Sequence, residues 1–129
     1  MVKAALFVLG GSAYVALELL WRGRSHISMF AAGGLCFLIL GAMSRENWKV
    51  GKRGLLGAVA ITEVELAAGL LVNRDYAVWD YRPLPLNFYG QICLPYTLLW
   101  IPLSIAAMAI YPKAEKAIQT TLPRLSRKA

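Results

Sequence analysis

Four long apolar stretches, at 3–21, 27–43, 54–73 and 88–111, take up most of this chain, and its charged residues collect between them. A bilayer core about 30 Å thick needs roughly 20 helical residues to cross it, so each stretch has the length of a transmembrane helix. The second is the shortest and reaches across only with help from its flanks or a local thinning of the bilayer. Because 58% of the 129 residues are hydrophobic and the mean hydropathy is +0.53, little chain remains for a soluble domain. The expected fold class is all-α: a polytopic membrane protein, a four-transmembrane-helix bundle forming one domain over 1–129, with a basic tail at 112–129. Its expected place is the cell membrane, as a multi-pass protein of a bacterial inner or plasma membrane.

The first stretch follows Lys3 like a secretory signal, yet it carries Glu18 and ends in Trp21-Arg22 without a small-residue cleavage pattern. It reads as a retained helix. Cys36 and Cys93 fall inside apolar spans, where a thiol acts as a small hydrophobe, and they fix no redox compartment.

Basic residues set the expected orientation, since Lys and Arg accumulate in short cytoplasmic loops. Lys3, Arg45, Lys49, Lys52, Arg53, Lys113, Lys116, Arg124, Arg127 and Lys128 lie on one side, against Arg22, Arg24, Arg74 and Arg82 on the other. Ten against four predicts both termini and the middle loop in the cytoplasm (N-in/C-in). The net charge of +7 then anchors the protein on a lipid bilayer; no nucleic acid partner is expected, because no soluble fold carries the basic residues with base-stacking aromatics.

The loop at 74–87 is the informative connection, packing Tyr76, Trp79 and Tyr81 beside Asp75, Asp80, Arg82, Pro83 and Pro85. Its aromatic rings favour the headgroup level and its prolines cut its freedom, which predicts an ordered loop. The last span holds Pro95 and Pro102 and is expected to kink. Beyond Pro112, a short helix along the inner leaflet is expected.

Chemistry is expected at ionisable residues within the spans. Glu18, Glu63 and Glu65 each cost a few kcal/mol in hydrocarbon unless paired, protonated or facing a cavity. Arg22 lies four residues after Glu18 on the same helical face, and Tyr14 one turn deeper. Glu63 and Glu65 are about 200° apart around a helix, so one faces the interior and the other a different helix or a second subunit. Arg22, Arg24, Ser25 and His26 leave the first helix on the same side as Asp80, Tyr81, Arg82 and Asn87, with Gln91 beneath. These groups form either a polar vestibule above Glu18 and Glu65, suited to a cation, a proton or a polar headgroup, or a set of interfacial anchors. His26 is the only histidine, so no metal site is expected. No phosphate-binding GxxxxGK[ST] loop and no GxSxG elbow occurs, so neither a cofactor nor ATP hydrolysis by this chain alone is expected. Gly10, Gly11, Gly33, Gly34, Gly41 and Gly69 read as close-packing positions.

The run Gly23-Arg24-Ser25-His26 with Met29-Phe30 and Gly33-Gly34-Leu35-Cys36-Phe37, then Thr62-Glu63-Val64-Glu65-Leu66 with Gly69, and Trp79-Asp80-Tyr81 leading to Gly90-Gln91-Ile92-Cys93-Leu94-Pro95 with Trp100 resembles the bacterial CmpB-type family of ABC-transporter permeases. More distantly, the chain is similar to the animal transmembrane protein 229 family, which shows a similar helix glutamate four residues before a glycine and a Trp-Asp-Tyr loop. The likeness covers about residues 10 to 105. It implies a permease that depends on a separate ATPase subunit and on assembly as a homo-oligomer such as a dimer. It points to Glu18, His26, Glu65, Trp79, Asp80, Tyr81, Gly90 and Gln91. Three functions follow as expectations. The first is a transporter or channel subunit, the second a scaffold that organises lipid or partner subunits, and the third a membrane enzyme acting on lipid headgroups with His26 and Asp80 as acid and base.

Overall fold

A computed structural model describes residues 1–128, with side chains through Leu122. Helices α1 (Val2–Arg22), α2 (Ile27–Ser44) and α3 (Val50–Val72) are followed by a two-stranded hairpin, β1 (Asn87–Phe88) and β2 (Ile92–Cys93), and by α4 (Leu94–Lys128). Four helices are long and apolar enough to cross a membrane, as the hydropathy pattern predicts. Three basic residues counted in the tail, Arg124, Arg127 and Lys128, have side chains outside the described residues, as does Ala129.

The last span departs from expectation at both ends. Residues 88–93 are not helical: Asn87 pairs with Cys93 and Phe88 with Ile92 in antiparallel register, and Tyr89 and Gly90 close the hairpin with φ of 52° and 66°. The helix then begins at Leu94, which places Pro95 in its first turn, where a missing N–H loses no helical hydrogen bond. Nor does the helix stop near Tyr111 and restart as a separate surface element; α4 runs through Pro112 without a break. Contacts on both sides of the proline hold it. Before it, the fully buried Tyr111 ring lies against Phe37, at 5.0 Å between centroids, and its hydroxyl accepts from Lys3 Nζ at 3.2 Å. After it, Glu115 pairs with Arg45 at 3.2 Å.

Short turns join the first three helices. Gly23 ends α1 in the left-handed conformation (φ 74°), its N–H bonding the Leu19 carbonyl. Between α2 and α3, the Arg53 guanidinium donates to the carbonyls of Ser44, Glu46 and Trp48 at 3.1–3.2 Å. A cation there meets the negative end of α2 and satisfies carbonyls that the helix cannot.

Without water to squeeze out, membrane helices associate through close packing, and here side chains of one helix take the space over glycines of the next. Phe37 and Phe30 of α2 cover Gly10 and Gly11 of α1, while Tyr14 and Phe7 of α1 cover Gly33 and Gly34 of α2. On the other side, Gly54 and Gly57 of α3 receive Ile101, Ser104 and Met108 of α4. The two pairs meet along α2, where Leu40, Ala58, Ile61, Trp100 and Met108 form a buried cluster. Contact between α1 and α4 is sparse by comparison. Large apolar side chains such as Leu20, Leu71 and Ile27 remain exposed around the outside, where lipid lies.

Close glycine contacts make a clear prediction. Gly33→Leu and Gly57→Leu drive a Cβ into Tyr14 and Ser104 and are expected to destabilise by about 1–3 kcal/mol each. Gly51→Ala, where a Cβ meets nothing within 4 Å, is expected to be neutral or to stabilise by up to about 1 kcal/mol. Thermal unfolding of detergent-purified protein separates the two classes.

Candidate functional site: a buried carboxylate pair behind an aromatic wall

The buried residues of α3, Gly54, Gly57, Ala58, Ile61, Glu65 and Gly69, follow one another at spacings of one to four and mark a single helical stripe. Glu65 falls on it and is 6% exposed; Glu63, about 200° away, is exposed on the outer face. On α1 the buried stripe is Leu6, Gly10, Gly11 and Glu18, and Glu18 is 5% exposed. Two carboxylates from different helices are thus turned inward.

Glu65 is held by two donors. The Tyr81 hydroxyl donates to Oε2 at 2.7 Å and the Trp100 indole N–H to Oε1 at 3.4 Å. Tyr96 stacks on Tyr81, with centroids 4.8 Å apart and planes 12° from parallel, and Tyr14 meets Trp100 edge-on at 6.2 Å. These four rings wall off Glu65 from a half-open cavity of about 460 Å³ lined by Tyr14, Glu18, Arg22, Tyr81, Tyr96 and Trp100. Glu18 accepts from Arg22 through Oε2. Its other oxygen, Oε1, is buried and has no hydrogen-bond partner among the described residues. An unsatisfied carboxylate oxygen in an apolar setting is costly.

The loop after α3 delivers Tyr81, and Asn73 organises that loop. Fully buried at the end of α3, Asn73 donates from Nδ2 to the Trp79 carbonyl (2.7 Å) and Gln91 Oε1 (2.8 Å). Its Oδ1 accepts from the N–H groups of Val78 (2.8 Å) and Trp79 (3.1 Å). Gln91 Nε2 returns to the Asn73 carbonyl at 3.0 Å, and Trp79 Nε1 donates to the Gln91 carbonyl at 2.8 Å. Gly69 makes room: a Cβ there would overlap the Gln91 side chain. Burial and the neighbouring Glu65 charge hold the Tyr81 phenol above its usual range, so it remains a neutral donor.

The residues singled out from sequence therefore divide. Glu18, Arg22 and Tyr81 line the cavity, with Glu65 directly behind it. Trp79 and Gln91 are buried in the loop scaffold and shape it. His26 is exposed and caps α2, its Nδ1 accepting from the Ser28 N–H at 3.1 Å. Asp80 is exposed and bound twice by the Arg82 guanidinium, at 2.9 and 2.7 Å; that side chain and the Arg82 N–H hold its carboxyl below the usual range. His26 and Asp80 share no hydrogen bond among the described residues; each is bound within its own turn, His26 to Ser28 and Asp80 to Arg82. Asn73, Tyr96 and the cavity role of Tyr14 were not singled out as site features. An asparagine ending a helix reads as an ordinary cap, and only its position before an aromatic-rich loop hints at more.

Four apolar helices around two inward carboxylates make this a multi-pass helical membrane protein. The chain belongs to the family described as "Putative ABC-transporter type IV", whose model matches residues 10–128. No curated protein and no solved structure gives a significant match.

The Asn73 network predicts its own cost. Asn73→Leu removes the acceptor of two N–H groups and a partner of Gln91, at roughly 1–3 kcal/mol for each buried group left unsatisfied, and should lower the unfolding midpoint sharply. Asp80→Asn, at the exposed pair, should leave it almost unchanged, as thermal melts of the two variants would show.

Proposed function

We propose that this chain is the membrane subunit of a transporter, in which Glu18 and Glu65 form the polar site on the substrate path. The observation that carries this reading is the convergence of two carboxylates, from α1 and α3, on opposite sides of an aromatic wall facing a half-open cavity. Charged residues inside membrane helices are expensive and are kept where they do work. Family membership supports a transport role, and the missing nucleotide-binding motif makes any ATP-driven cycle depend on a separate ATPase subunit.

The ladder runs from Arg22 and Glu18 through Tyr14 and Tyr81 to Glu65. Glu18 is neutralised on one oxygen by Arg22 and its other, buried oxygen has no partner among the described residues, so it suits a cationic or hydrogen-bond-donating substrate group that reaches it as the side chain turns. Glu65, farther in, accepts only from neutral donors and suits the coupling proton or cation. The excess of basic residues supports N-in/C-in insertion, with the cavity in the outer half of the membrane. Exposed Glu63, near the middle of α3, supports a dimer whose second copy covers it.

Two experiments test the reading. In proteoliposomes under an imposed proton or cation gradient, Glu18→Gln and Glu65→Gln are each expected to reduce flux at least about tenfold while helical circular dichroism is unchanged; flux equal to wild type in both would return the carboxylates to a structural role. In a background with Cys36 and Cys93 replaced, a cysteine at position 46 is expected to be shielded from an impermeant thiol reagent in intact cells, one at 87 labelled, and one at 63 cross-linked between copies. The opposite labelling pattern sinks the orientation, and absence of cross-linking the dimer.

A further inference from the structure

The cavity beside Glu18 is one end of a longer cleft. A second half-open cavity of about 280 Å³ adjoins it on the side away from Arg22, and the two share Tyr14, Leu17, Trp100 and Leu103 as lining. The first end is polar at Glu18, Arg22 and Tyr81. Beyond Tyr14 the walls are Leu9, Ala13, Phe37, Ala106 and Ile110, and almost every exposed atom is apolar. Along α1 the cleft extends from Arg22 to Leu9, which at 1.5 Å per residue is about 20 Å. That is somewhat deeper than one leaflet of a hydrocarbon core about 30 Å thick. It faces outward between α1 and α4, which touch far less than α1 does α2 or α3 does α4, and Leu9, Leu17, Leu99 and Ile110 along its rim are all at least 43% exposed.

From this division of polarity we infer that the cleft holds a bilayer lipid, with one acyl chain in the apolar trough and a headgroup hydroxyl or ammonium donating to the Glu18 carboxylate, which turns its buried Oε1 toward the cavity to accept. Resting on the reading of Glu18 as a ligand-facing group, this names the class of substrate or resident ligand the site takes. Three observations converge on it. Glu18 lines the polar end and, nine-tenths buried, has an oxygen without a partner among the described residues; a turn of the carboxylate brings that oxygen to the donor that completes it. Arg22 lies beside it with its side chain 28% exposed and stands where the lipid phosphate would sit. The trough runs inward from this polar end, parallel to α1, as the acyl chain of a lipid in that leaflet does. A peptide helix or a second copy would cover the apolar part but offers no reason for the free carboxylate oxygen.

The test is native mass spectrometry of the full chain in detergent, titrated with phosphatidylethanolamine, phosphatidylglycerol and phosphatidylcholine of one acyl composition. The first two carry an ammonium or hydroxyl donor and the third carries none. Either donor lipid is expected to bind one per chain, about tenfold more tightly than phosphatidylcholine, as one hydrogen bond to a charged acceptor implies. Glu18→Gln, which keeps an acceptor but loses the charge, should erase any preference for the ammonium lipid over the hydroxyl lipid. Ala13→Trp and Ala106→Trp, which fill the trough without touching the carboxylates, should abolish binding, while Leu55→Trp on the outer face of α3 should not. Equal binding of all three lipids overturns the role of Glu18, and binding unaffected by the trough-filling variants places the lipid elsewhere. A dimer that those variants dissolve, with no lipid retained, assigns the cleft to a second copy. Lipid binding without flux leaves this inference standing and removes transport; Glu18-dependent flux without lipid binding does the reverse.

Discussion

Glu65 lies deep in an apolar helix because a phenol from a loop reaches it. A carboxylate in hydrocarbon needs donors, and α3 cannot supply them: its own N–H groups are spent on the helix, and its neighbours on the buried stripe are Ile61 and Gly69. Tyr81 and Trp100 meet the need from the 74–87 loop and from α4. The loop reaches that position through Asn73, which binds Val78, Trp79 and Gln91 together at the end of the same helix. The carboxylate, the loop and the first turns of α4 form one connected polar assembly inside an apolar protein. Its members are satisfied by each other, which suits a site that must hold its shape without water.

Packing explains why a cleft exists beside that assembly. Glycines bring α1 against α2 and α3 against α4, with rings or branched side chains seated over the missing Cβ atoms. No equivalent glycine contact joins α1 to α4 among the described residues. Tyr14, Leu17, Trp100 and Leu103 face one another across the gap instead. The same small-residue pattern that tightens two interfaces leaves the third open, and the opening falls beside the one buried carboxylate, among the described residues, that has an oxygen without a hydrogen-bond partner.

The four spans and the Glu18–Arg22 pair were legible in the sequence, because both depend on local periodicity: about twenty apolar residues for a span, four residues for one helical turn. The divergence of Glu63 and Glu65 was legible for the same reason. Which of them turns inward was not, since that follows from glycine and isoleucine positions whose meaning appears only against α4. The start of α4 was misplaced because Phe88, Ile92 and Cys93 are apolar in a hairpin as they would be in a helix. Its continuation past Pro112 was missed for a different reason: proline signals a break locally, whereas Tyr111 and Glu115 are held by residues far away in sequence. The Tyr81–Glu65 bond was likewise beyond reach, since it depends on the path of a whole loop.

The pairing of neighbours in the chain also orders how the protein comes together. The α1–α2 interface closes across a turn of four residues and the α3–α4 interface across the 73–93 segment, so each costs less entropy than joining α1 to α4 and can form once its two helices have entered the bilayer. The meeting of α1 with α4 must wait until the chain is nearly complete, and it gains few contacts when it occurs. Two helical hairpins form early, and the seam between the first and last helices closes late. That seam is also the natural line along which the protein opens sideways into the surrounding lipid.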